Sequence, residues 1–345
     1  MKKVITCVGY HGTGSSVVSD LLKEFLNVKS FGEYEFRFLQ DPNGVGDLEE
    51  RLLNNNCRLN SDRAIYDFKN FIYNLNKEKG FKIWQKSEYE KVFNGQFQIL
   101  TDEYLNDLID MSWDGMWHDI YRRKEGKKYK VFLLFQIILK KLKIIKNIKT
   151  PLTKMHYSYP YGEFKLKTQK YINNLLCATN AKEENLVFDQ IVPVCNLKKY
   201  TEYFEKIKVI IVDRDPRDLY ILNKVYWKEG VVPVRNVEEF IKHFLLIRKH
   251  RKNEKNEKNI VLEVRFEDFI YNYDLTLNKL LSFLEISPND HLKKLKYFNP
   301  YISKNNTQLF NLYPQYGEDI KKINRELKEY CYEYPYFIEH QKNIF

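Results

Sequence analysis

Lys3-Val-Ile-Thr-Cys-Val-Gly-Tyr-His-Gly-Thr-Gly-Ser-Ser16 is the segment from which the architecture of this chain is inferred. Residues 4–8 are β-branched or apolar and predict a buried strand, which the glycine at position 9 ends. Beyond this segment, apolar residues recur at helical spacing, at positions 17, 18, 21, 22, 25 and 26. The sequence therefore predicts a strand, a glycine-rich turn and a helix in succession.

Three more apolar runs predict buried strands later in the chain. They occupy residues 185–189, 208–213 and 259–265, and helical patterns separate them. Further helices are predicted to start near Asn236, Asp274 and Asp319. Strands that alternate with helices form βαβ units, in which neighbouring strands are parallel. The sequence therefore predicts an α/β fold with a mainly parallel central sheet flanked by helices.

The stretch from Leu48 to about Thr150 has a helical, aromatic and irregular pattern. Within it, Ser61 and Asp62 are placed to cap a helix that runs through Asn76. Ligands of α/β folds bind beyond the carboxyl ends of the strands. We therefore expect residues 1–345 to form one domain, in which residues 48–150 are a helical insertion that covers these strand ends.

Lys127 to Lys149 is the most basic part of this insertion. It holds eight lysines and no acidic residue around the apolar run from Val131 to Leu139. One interpretation is a basic amphipathic helix that contacts anionic lipid or an acidic glycan at the periphery of a membrane. The other is a core helix with basic ends, and the sequence leaves both open.

The composition argues against a disulfide-bonded secreted protein, a metalloprotein and a membrane-spanning protein. The 345 residues are 43% hydrophobic, which provides for a large core, and 57 Lys+Arg against 46 Asp+Glu give a net charge of +11. This charge favours anionic partners without naming one. The five scattered cysteines and seven histidines show no disulfide-framework or metal-ligand spacing, which predicts a reducing compartment and no metal site. With no apolar run of about 20 residues, a cytoplasmic protein is expected.

The glycine-rich turn has the composition of an anion-binding loop. Small residues at Gly12, Thr13, Gly14, Ser15 and Ser16 let backbone N–H groups converge on a phosphate beside a helix N-terminus. The loop approaches the nucleotide-binding pattern G-x-x-x-x-G-K-[ST], but serine at position 15 replaces the lysine that grips the terminal phosphates. Hydrolysis of ATP or GTP is therefore disfavoured, whereas anion binding is retained.

Two later segments complete a recognisable set. The strand ending Val212-Asp-Arg-Asp-Pro-Arg-Asp218 and the segment Phe266-Glu-Asp-Phe269 follow the loop in order. Together the three segments resemble sulfotransferases that use the donor PAPS (3′-phosphoadenosine 5′-phosphosulfate), which have a P-loop-like fold. The resemblance implies that the loop holds the 5′-phosphosulfate and that Arg214 holds the 3′-phosphate. It also implies that the product PAP (3′-phosphoadenosine 5′-phosphate) is released after transfer of the sulfuryl group and that the reaction needs no metal.

Glu35-Phe-Arg-Phe38 resembles a segment of the glycan-directed branch of that family. The resemblance implies that Glu35 is the catalytic base and that the acceptor is a bacterial saccharide, such as a capsule or lipopolysaccharide precursor, with the insertion on the acceptor side. His11 is the second candidate for the base. Where the family loop has a cation this chain has Gly12, so His11 or Arg37 must supply that charge.

The resemblance implies other, less central contacts. Asn223 or Lys224 would replace the usual serine ligand of the 3′-phosphate, because that position is occupied by Leu222. Lys304 lies in a segment similar to a loop that covers the nucleotide. Candidates for acceptor hydroxyl binding are Asp189 and Gln190, and Glu267 and Asp268 are expected to be structural, with an ion pair to Arg265.

Two other functions remain open at the level of sequence. A phosphotransferase that uses ATP and Mg²⁺ would place Asp213, at the end of its strand, on the metal. A basic binding module without catalysis would bind polyanions with a steep salt dependence, although no nucleic-acid-binding motif is present.

Overall fold

The computed structural model describes residues 2–77, 87–124, 126–149, 152–160, 163–228, 230–254 and 259–340. Five parallel strands form the central sheet, in the order β2-β5-β1-β6-β7, and a separate antiparallel pair is formed by β3 and β4. The strands are β1 (Lys3–Gly9), β2 (Val28–Glu35), β3 (Met111–Gly115), β4 (Thr153–Tyr157), β5 (Asn185–Asp189), β6 (Ile207–Asp213) and β7 (Val261–Arg265). The predicted α/β fold with a parallel sheet is confirmed.

Helices cover both faces of the sheet and form most of the insertion. The α-helices are α1 (Ser16–Leu22), α2 (Val45–Glu49), α3 (Arg58–Lys77), α4 (Glu88–Val92), α5 (Phe97–Leu108), α6 (Gly126–Lys141), α7 (Phe164–Ala178), α8 (Leu197–Thr201), α9 (Pro216–Ile221), α10 (Val237–Lys252), α11 (Asp268–Tyr271), α12 (Tyr273–Leu284), α13 (Pro300–Ser303) and α14 (Gly317–Glu326). The helices predicted near Asn236, Asp274 and Asp319 correspond to α10, α12 and α14.

The strand β2 was not predicted from the sequence. It lies at one edge of the sheet, pairs only with β5 among the described strands, and shifts register between Ser30 and Glu35. Gly32 lies within this shift with a φ of +91°, a backbone conformation that favours glycine. An edge strand with this irregularity lacks the continuous apolar run that identifies a central parallel strand.

Alternating residues of β1 supply the two sides of the core. Val4 and Val8 face one apolar cluster, which the insertion shares through α3 and α5, whereas Ile5 and Cys7 face a second cluster with α1 and α12. This alternation follows from the two-residue period of a strand. A third cluster joins α9, α10 and α14. The insertion therefore packs on one face of the sheet as a continuation of its core.

The predicted cap of α3 is wrong. The helix begins at Arg58, so Ser61 and Asp62 lie inside it and are buried. Ser61 Oγ accepts the N–H of Ser158 at 2.8 Å, and Asp62 Oδ1 accepts the N–H of His156 at 2.9 Å. These two side chains therefore fasten the chain near β4 to the insertion instead of starting the helix.

The helix α6 lies at the surface. Among its described residues, Gly126 and Gln136 are the buried ones, and Val131 and Leu134 are more than half exposed. The interpretation of Lys127 to Lys149 as a core helix with basic ends is therefore wrong. Across the described residues, no helix has both the length and the apolar content that crossing a bilayer requires.

Candidate functional site

The carboxyl ends of the five parallel strands lie at one edge of the sheet. Their register places Glu35 opposite Asp189 and Asp213 opposite Arg265, while β1 ends between β5 and β6. The segments singled out from the sequence follow these strand ends, because parallel strands present all their carboxyl ends in the same direction. The sheet therefore brings together segments that are up to about 250 residues apart in the chain, such as the loop at Gly14 and the segment that starts at Phe266.

The glycine loop after β1 has a left-handed backbone at three positions. His11, Gly12 and Gly14 have φ values of 68°, 72° and 83°. A Cβ on Gly12 would lie 2.0 Å from the ring of Trp227, and one on Gly14 would lie 2.5 Å from the ring of Phe266. Both glycines are thus required by conformation and by space.

Four consecutive backbone N–H groups of this loop, from Gly12 to Ser15, have no acceptor in the described part of the chain. The loop is held instead by Thr13 Oγ1, which accepts the N–H of Tyr10 at 3.2 Å. The following helix has only seven residues, so an anion at this loop would be held by these N–H groups more than by a helix dipole.

Arg214 lies buried directly beyond the end of β6. Its guanidinium stacks over the ring of Phe266, with its central carbon 4.5 Å from the ring centroid, and one terminal nitrogen donates to the carbonyl of Asn306. Its Nε has no hydrogen-bond partner within the described part of the chain. A buried, unsatisfied guanidinium N–H costs free energy unless a ligand accepts it. Gly14 and Arg214 both lie next to the ring of Phe266, so the loop and this arginine are close to each other.

Several buried carboxyl groups lie near Arg214. Burial and the nearby charge of Asp215 raise the pKa of Asp218 to about 6, although Arg214 opposes the shift. Burial likewise raises the pKa of Glu267 to about 7, with Arg265 opposing the shift and Asp215 adding to it. Glu267 accepts the N–H of Asp215 at 2.7 Å and lies 3.5 Å from Arg265 Nε. Its ion pair with Arg265 agrees with the structural role expected from the sequence.

The carboxylate of Asp213 accepts hydrogen bonds from another arginine, Arg248. Its Oδ2 accepts from Arg248 Nε at 2.9 Å, and its Oδ1 accepts the N–H of Arg214 at 2.8 Å. The guanidinium of Arg248 in turn lies between two aromatic rings, 4.3 Å from the centroid of Tyr10 and 3.2 Å from that of Phe244. This arrangement does not favour the Mg²⁺ ligand that the phosphotransferase interpretation requires.

Glu35 and Arg37 alternate with buried aromatic residues at the end of β2. Phe36 and Phe38 are buried against Tyr89 of the insertion, whose hydroxyl also accepts the N–H of Phe38 at 3.2 Å. Glu35 and Arg37 consequently face the opposite side, and Glu35 Oε2 is 3.4 Å from Arg37 Nη1. The insertion thus supports the segment that holds the predicted base.

Arg37 also contacts Asp41. Its Nε donates to Asp41 Oδ1 at 2.7 Å. Partial burial by itself would lower the pKa of Arg37, but the hydrogen bond to Asp41 and the charges of both carboxylates raise it. Arg37 therefore remains a fixed cation next to Glu35.

Two glutamines connect the Glu35 segment with the glycine loop. Gln40 donates from its side-chain amide to the carbonyl of Gln190, and Gln190 Nε2 donates to Ser15 Oγ at 3.4 Å. Gln190 itself has a left-handed backbone, with a φ of 53°. The end of the segment that contains Glu35 and the glycine loop are therefore joined through polar contacts of Gln40 and Gln190.

The other predicted site residues are placed less directly. Asn223 is buried and donates to the carbonyl of Leu219 at 2.9 Å, and Lys224 Nζ donates to the carbonyl of Arg235 at 2.9 Å. Asp189 is buried and accepts from the thiol of Cys7 at 3.2 Å. Lys304 starts the short 3₁₀ turn whose Asn306 meets Arg214. The ligand roles of these residues stay predictions.

Sequence reasoning missed the aromatic residues that shape the site. Trp227 ends a π-helical turn after α9, and its ring lies edge-on to His11, with 5.8 Å between ring centroids. The sequence marks Phe266 only as part of a motif and gives no signal for Arg248. No local signal marks Trp227, because its importance comes from a contact with a loop far away in the chain.

The solved structures that are similar to this chain include three sulfotransferases. A sulfotransferase domain from the curacin biosynthetic pathway is 12% identical, with 97% of this chain and 99% of that chain covered and a TM-score of 0.43. A sulfotransferase from Mycobacterium tuberculosis is 10% identical (89% and 77% covered, TM-score 0.36), and one from Mycobacterium avium is 10% identical (93% and 76% covered, TM-score 0.35). No protein-family model and no curated protein matches the chain. The functional assignment therefore depends on the site itself.

Proposed function

We propose that this protein is a PAPS-dependent sulfotransferase that transfers a sulfuryl group to a hydroxyl of a saccharide and releases PAP. The observation that carries the proposal is that unused loop N–H groups and the unsatisfied Nε of Arg214 lie beside the same aromatic ring, that of Phe266. A donor with two separate phosphate positions matches two separate sets of N–H donors. The order of the three sequence motifs independently favours the same donor.

The loop would hold the phosphosulfate end of the donor, and Arg214 would hold its 3′-phosphate. A guanidinium suits phosphate because its N–H groups are fixed in a plane and its charge strengthens each hydrogen bond. The turn that contains Lys304 contacts Arg214 through Asn306, so it would close over the same nucleotide. Serine at position 15 in place of the P-loop lysine supports a donor other than ATP.

The chemistry is an in-line displacement at sulfur. The acceptor oxygen forms a bond to sulfur while the bond between sulfur and the bridging oxygen of the 5′-phosphate breaks, and PAP leaves with that oxygen. The acceptor hydroxyl must lose its proton, and Glu35 would accept it. Glu35 has a half-exposed side chain next to Arg37, which a hydrophilic acceptor can reach. His11 or Arg37 would offset the charge that develops on the leaving phosphate.

A saccharide acceptor is favoured by two features of the chain. The Glu35-Phe-Arg-Phe38 segment resembles the glycan-directed branch of sulfotransferases, and it is backed by the aromatic insertion through Tyr89. The net charge of +11 suits an acidic glycan, for example a capsule or lipopolysaccharide precursor of a bacterium.

Nucleotide-induced stabilisation tests the donor. We expect PAP to raise the melting temperature of the full chain in the absence of metal, because a ligand that binds only the folded state stabilises it. ATP with Mg²⁺ is expected to have a much smaller effect. The reverse order of the two nucleotides would replace the sulfotransferase with a phosphotransferase. Binding to polyanions without any effect of PAP would support the basic binding module.

Arg214→Ala tests the phosphate site more directly. We expect PAP affinity to fall by roughly 10- to 100-fold, equivalent to about 1.5–3 kcal/mol for a hydrogen bond with a charged partner. Isothermal titration calorimetry measures the affinity, and Arg325→Ala, at an exposed arginine, is the matched control. Arg214→Lys keeps the charge if the alanine variant does not fold. Unchanged PAP affinity in these Arg214 variants would remove this residue from the site.

A further inference from the structure

The helix α6 presents a regular apolar stripe to solvent. Val131, Leu134, Phe135, Ile138 and Leu142 have the spacing i, i+3, i+4, i+7 and i+11, which places them on one helical face. They are 66%, 60%, 57%, 54% and 63% exposed. Leu142 lies just beyond the helix, and its N–H donates to the carbonyl of Ile138 at 2.9 Å, so the helical turn continues. We call these five residues the α6 stripe.

The opposite face of α6 is held by a polar residue. Gln136 is buried, and its side-chain amide donates to the carbonyl of Lys149 at 2.8 Å and accepts the N–H of Lys149 at 2.6 Å. This pair fastens the segment after the helix back onto it. A helix that packs on a protein core buries its apolar face. Here the polar glutamine is inside and the α6 stripe is outside, so the stripe is oriented toward something other than this chain's core.

The unit that contains α6 projects from a fixed base. In the ribbon of β3 and β4, Gly115 is paired with Thr153. The chain therefore leaves this ribbon after Gly115 and comes back to the same end of it at Thr153. The base is fixed by a buried ion pair between Arg123 and Asp62 and by a second ion pair, 3.1 Å long, between Arg63 and Asp119. The stripe therefore sits on an excursion from this base, and the described residues leave its five side chains exposed.

The charged side chains from Gly126 to Lys149 all have one sign. No acidic residue occurs between Gly126 and Lys149, and all eight lysines of this segment are exposed. Three precede the stripe, at positions 127, 128 and 130, two lie within its span, at 140 and 141, and three follow it, at 143, 146 and 149. The partner of this surface must therefore offer hydrocarbon at its centre and negative charge around it.

We propose that the α6 stripe docks this protein on an anionic lipid membrane, with the helix lying in the membrane surface and the lysines on lipid headgroups. Interfacial helices of this kind combine an apolar face with lysine-rich edges. A second copy of the chain would bring two sets of eight lysines together without an acidic residue in either segment. An acidic glycan would pair with the lysines but leave the five apolar side chains in water. No residue of the stripe belongs to the donor site, so membrane docking is separable from the proposed reaction.

Vesicle flotation with the full chain tests the proposal. Vesicles of phosphatidylcholine alone are compared with vesicles that contain about 30% phosphatidylglycerol, at about 0.1 M salt where surface charges still interact. We expect binding to the anionic vesicles to be at least about tenfold tighter, and to weaken as salt is raised. No binding to either vesicle, or equal binding to both, would overturn the proposal.

Variants separate hydrocarbon contact from simple charge attraction. Leu134→Gln with Ile138→Gln keeps every charge and is expected to weaken vesicle binding by about tenfold or more. The matched control is Leu246→Gln with Leu275→Gln, at two exposed leucines outside the stripe, and it should bind like the wild type. Circular dichroism and the PAP-induced shift in melting temperature show whether each variant is folded.

Two outcomes would reassign the stripe. If the Leu134 and Ile138 variant kept full vesicle binding while Lys140→Glu with Lys141→Glu lost it, the surface would be a polyanion site without lipid insertion. If sedimentation showed a wild-type dimer that the Leu134 and Ile138 variant abolished, without vesicle binding, the partner would be a second copy. Either result would overturn the membrane proposal.

Discussion

Single residues of the glycine loop are held in conformations that a side chain seldom adopts. His11 has a φ of 68° although it is not glycine. A non-glycine residue in this region costs about 1–3 kcal/mol and persists only where the surroundings enforce it. Here the ring of Trp227 lies against His11 and leaves no room for a Cβ on Gly12. Such enforced strain is typical of sites where backbone N–H groups must face a ligand.

The variant Glu35→Gln, also at the scale of a single residue, tests whether Glu35 is the catalytic base. We expect sulfuryl transfer to fall by about 10²–10⁴-fold, because a general base contributes roughly this factor and the amide cannot accept the proton. PAP affinity should be unchanged, since the amide preserves the shape of the side chain and Glu35 lies outside the loop. Transfer from labelled PAPS to candidate glycans measures the rate, and calorimetry measures PAP binding.

His11→Gln is the companion variant for that experiment. If Glu35→Gln retains turnover while His11→Gln loses it at unchanged PAP affinity, the base is His11 and the Glu35 assignment is wrong. A change confined to PAP affinity in His11→Gln would instead assign His11 to donor binding.

At the scale of secondary structure elements, the insertion is held together by a buried ion pair and a hydrogen bond to the backbone. Asp62 of α3 accepts from Arg123 and from the N–H of His156, and both members of the ion pair are buried. A buried ion pair is a weak source of net stability, but the loss of one partner leaves the other charge uncompensated. These contacts fix α3, the turn before α6 and the strand β4 with respect to one another.

Asp62→Ala is expected to lower the free energy of unfolding by about 3 kcal/mol or more, because Arg123 would stay buried without its main partner. Asp119, with its carboxylate 3.4 Å from Arg123 Nε, compensates only in part. Urea denaturation followed by circular dichroism measures the change. Replacing both residues, Asp62→Ala with Arg123→Met, should recover part of the loss. Equal stability of wild type and Asp62→Ala would show that the pair does not fasten the insertion.

Across the whole molecule, the candidate donor site is built over buried carboxyl groups. Glu267 is buried and its pKa is raised to about 7, mainly by burial. The folded state therefore binds a proton that the unfolded chain has already released between the ordinary glutamate pKa and about 7. The contribution of Glu267 to the free energy of unfolding therefore decreases as pH rises through this interval, because its charged form is disfavoured only in the folded state.

Glu267→Gln should remove this pH dependence. We expect the stability of the wild type relative to the variant to decrease on the order of 1–3 kcal/mol between about pH 4.5 and pH 7. Urea midpoints across that range measure the effect, and Glu318→Gln, at an exposed carboxyl group, is the control. A stability difference that is constant or increases with pH would contradict a protonated Glu267 in the folded protein.

Much of the fold is determined by local sequence. The run from Val4 to Val8, its glycine terminus and the helical spacing that follows predict β1, the loop and α1, because buried parallel strands require continuous apolar residues. The same pattern predicts β5, β6 and β7. This pattern does not predict β2. An edge strand with a register shift buries too little apolar surface to require a continuous run of apolar residues.

Only the tertiary structure decided which residues share the site and which face of α6 is buried. Arg214 meets the carbonyl of Asn306, and Trp227 covers Gly12, across long separations in the chain. Such contacts depend on the register of the sheet and on packing, neither of which leaves a periodic trace in the sequence. The lysines and apolar residues of α6 are plain in the sequence, but that pattern suits a buried or an exposed helix equally. The buried Gln136 settles its orientation, because only the folded chain places the backbone of Lys149 against that side chain.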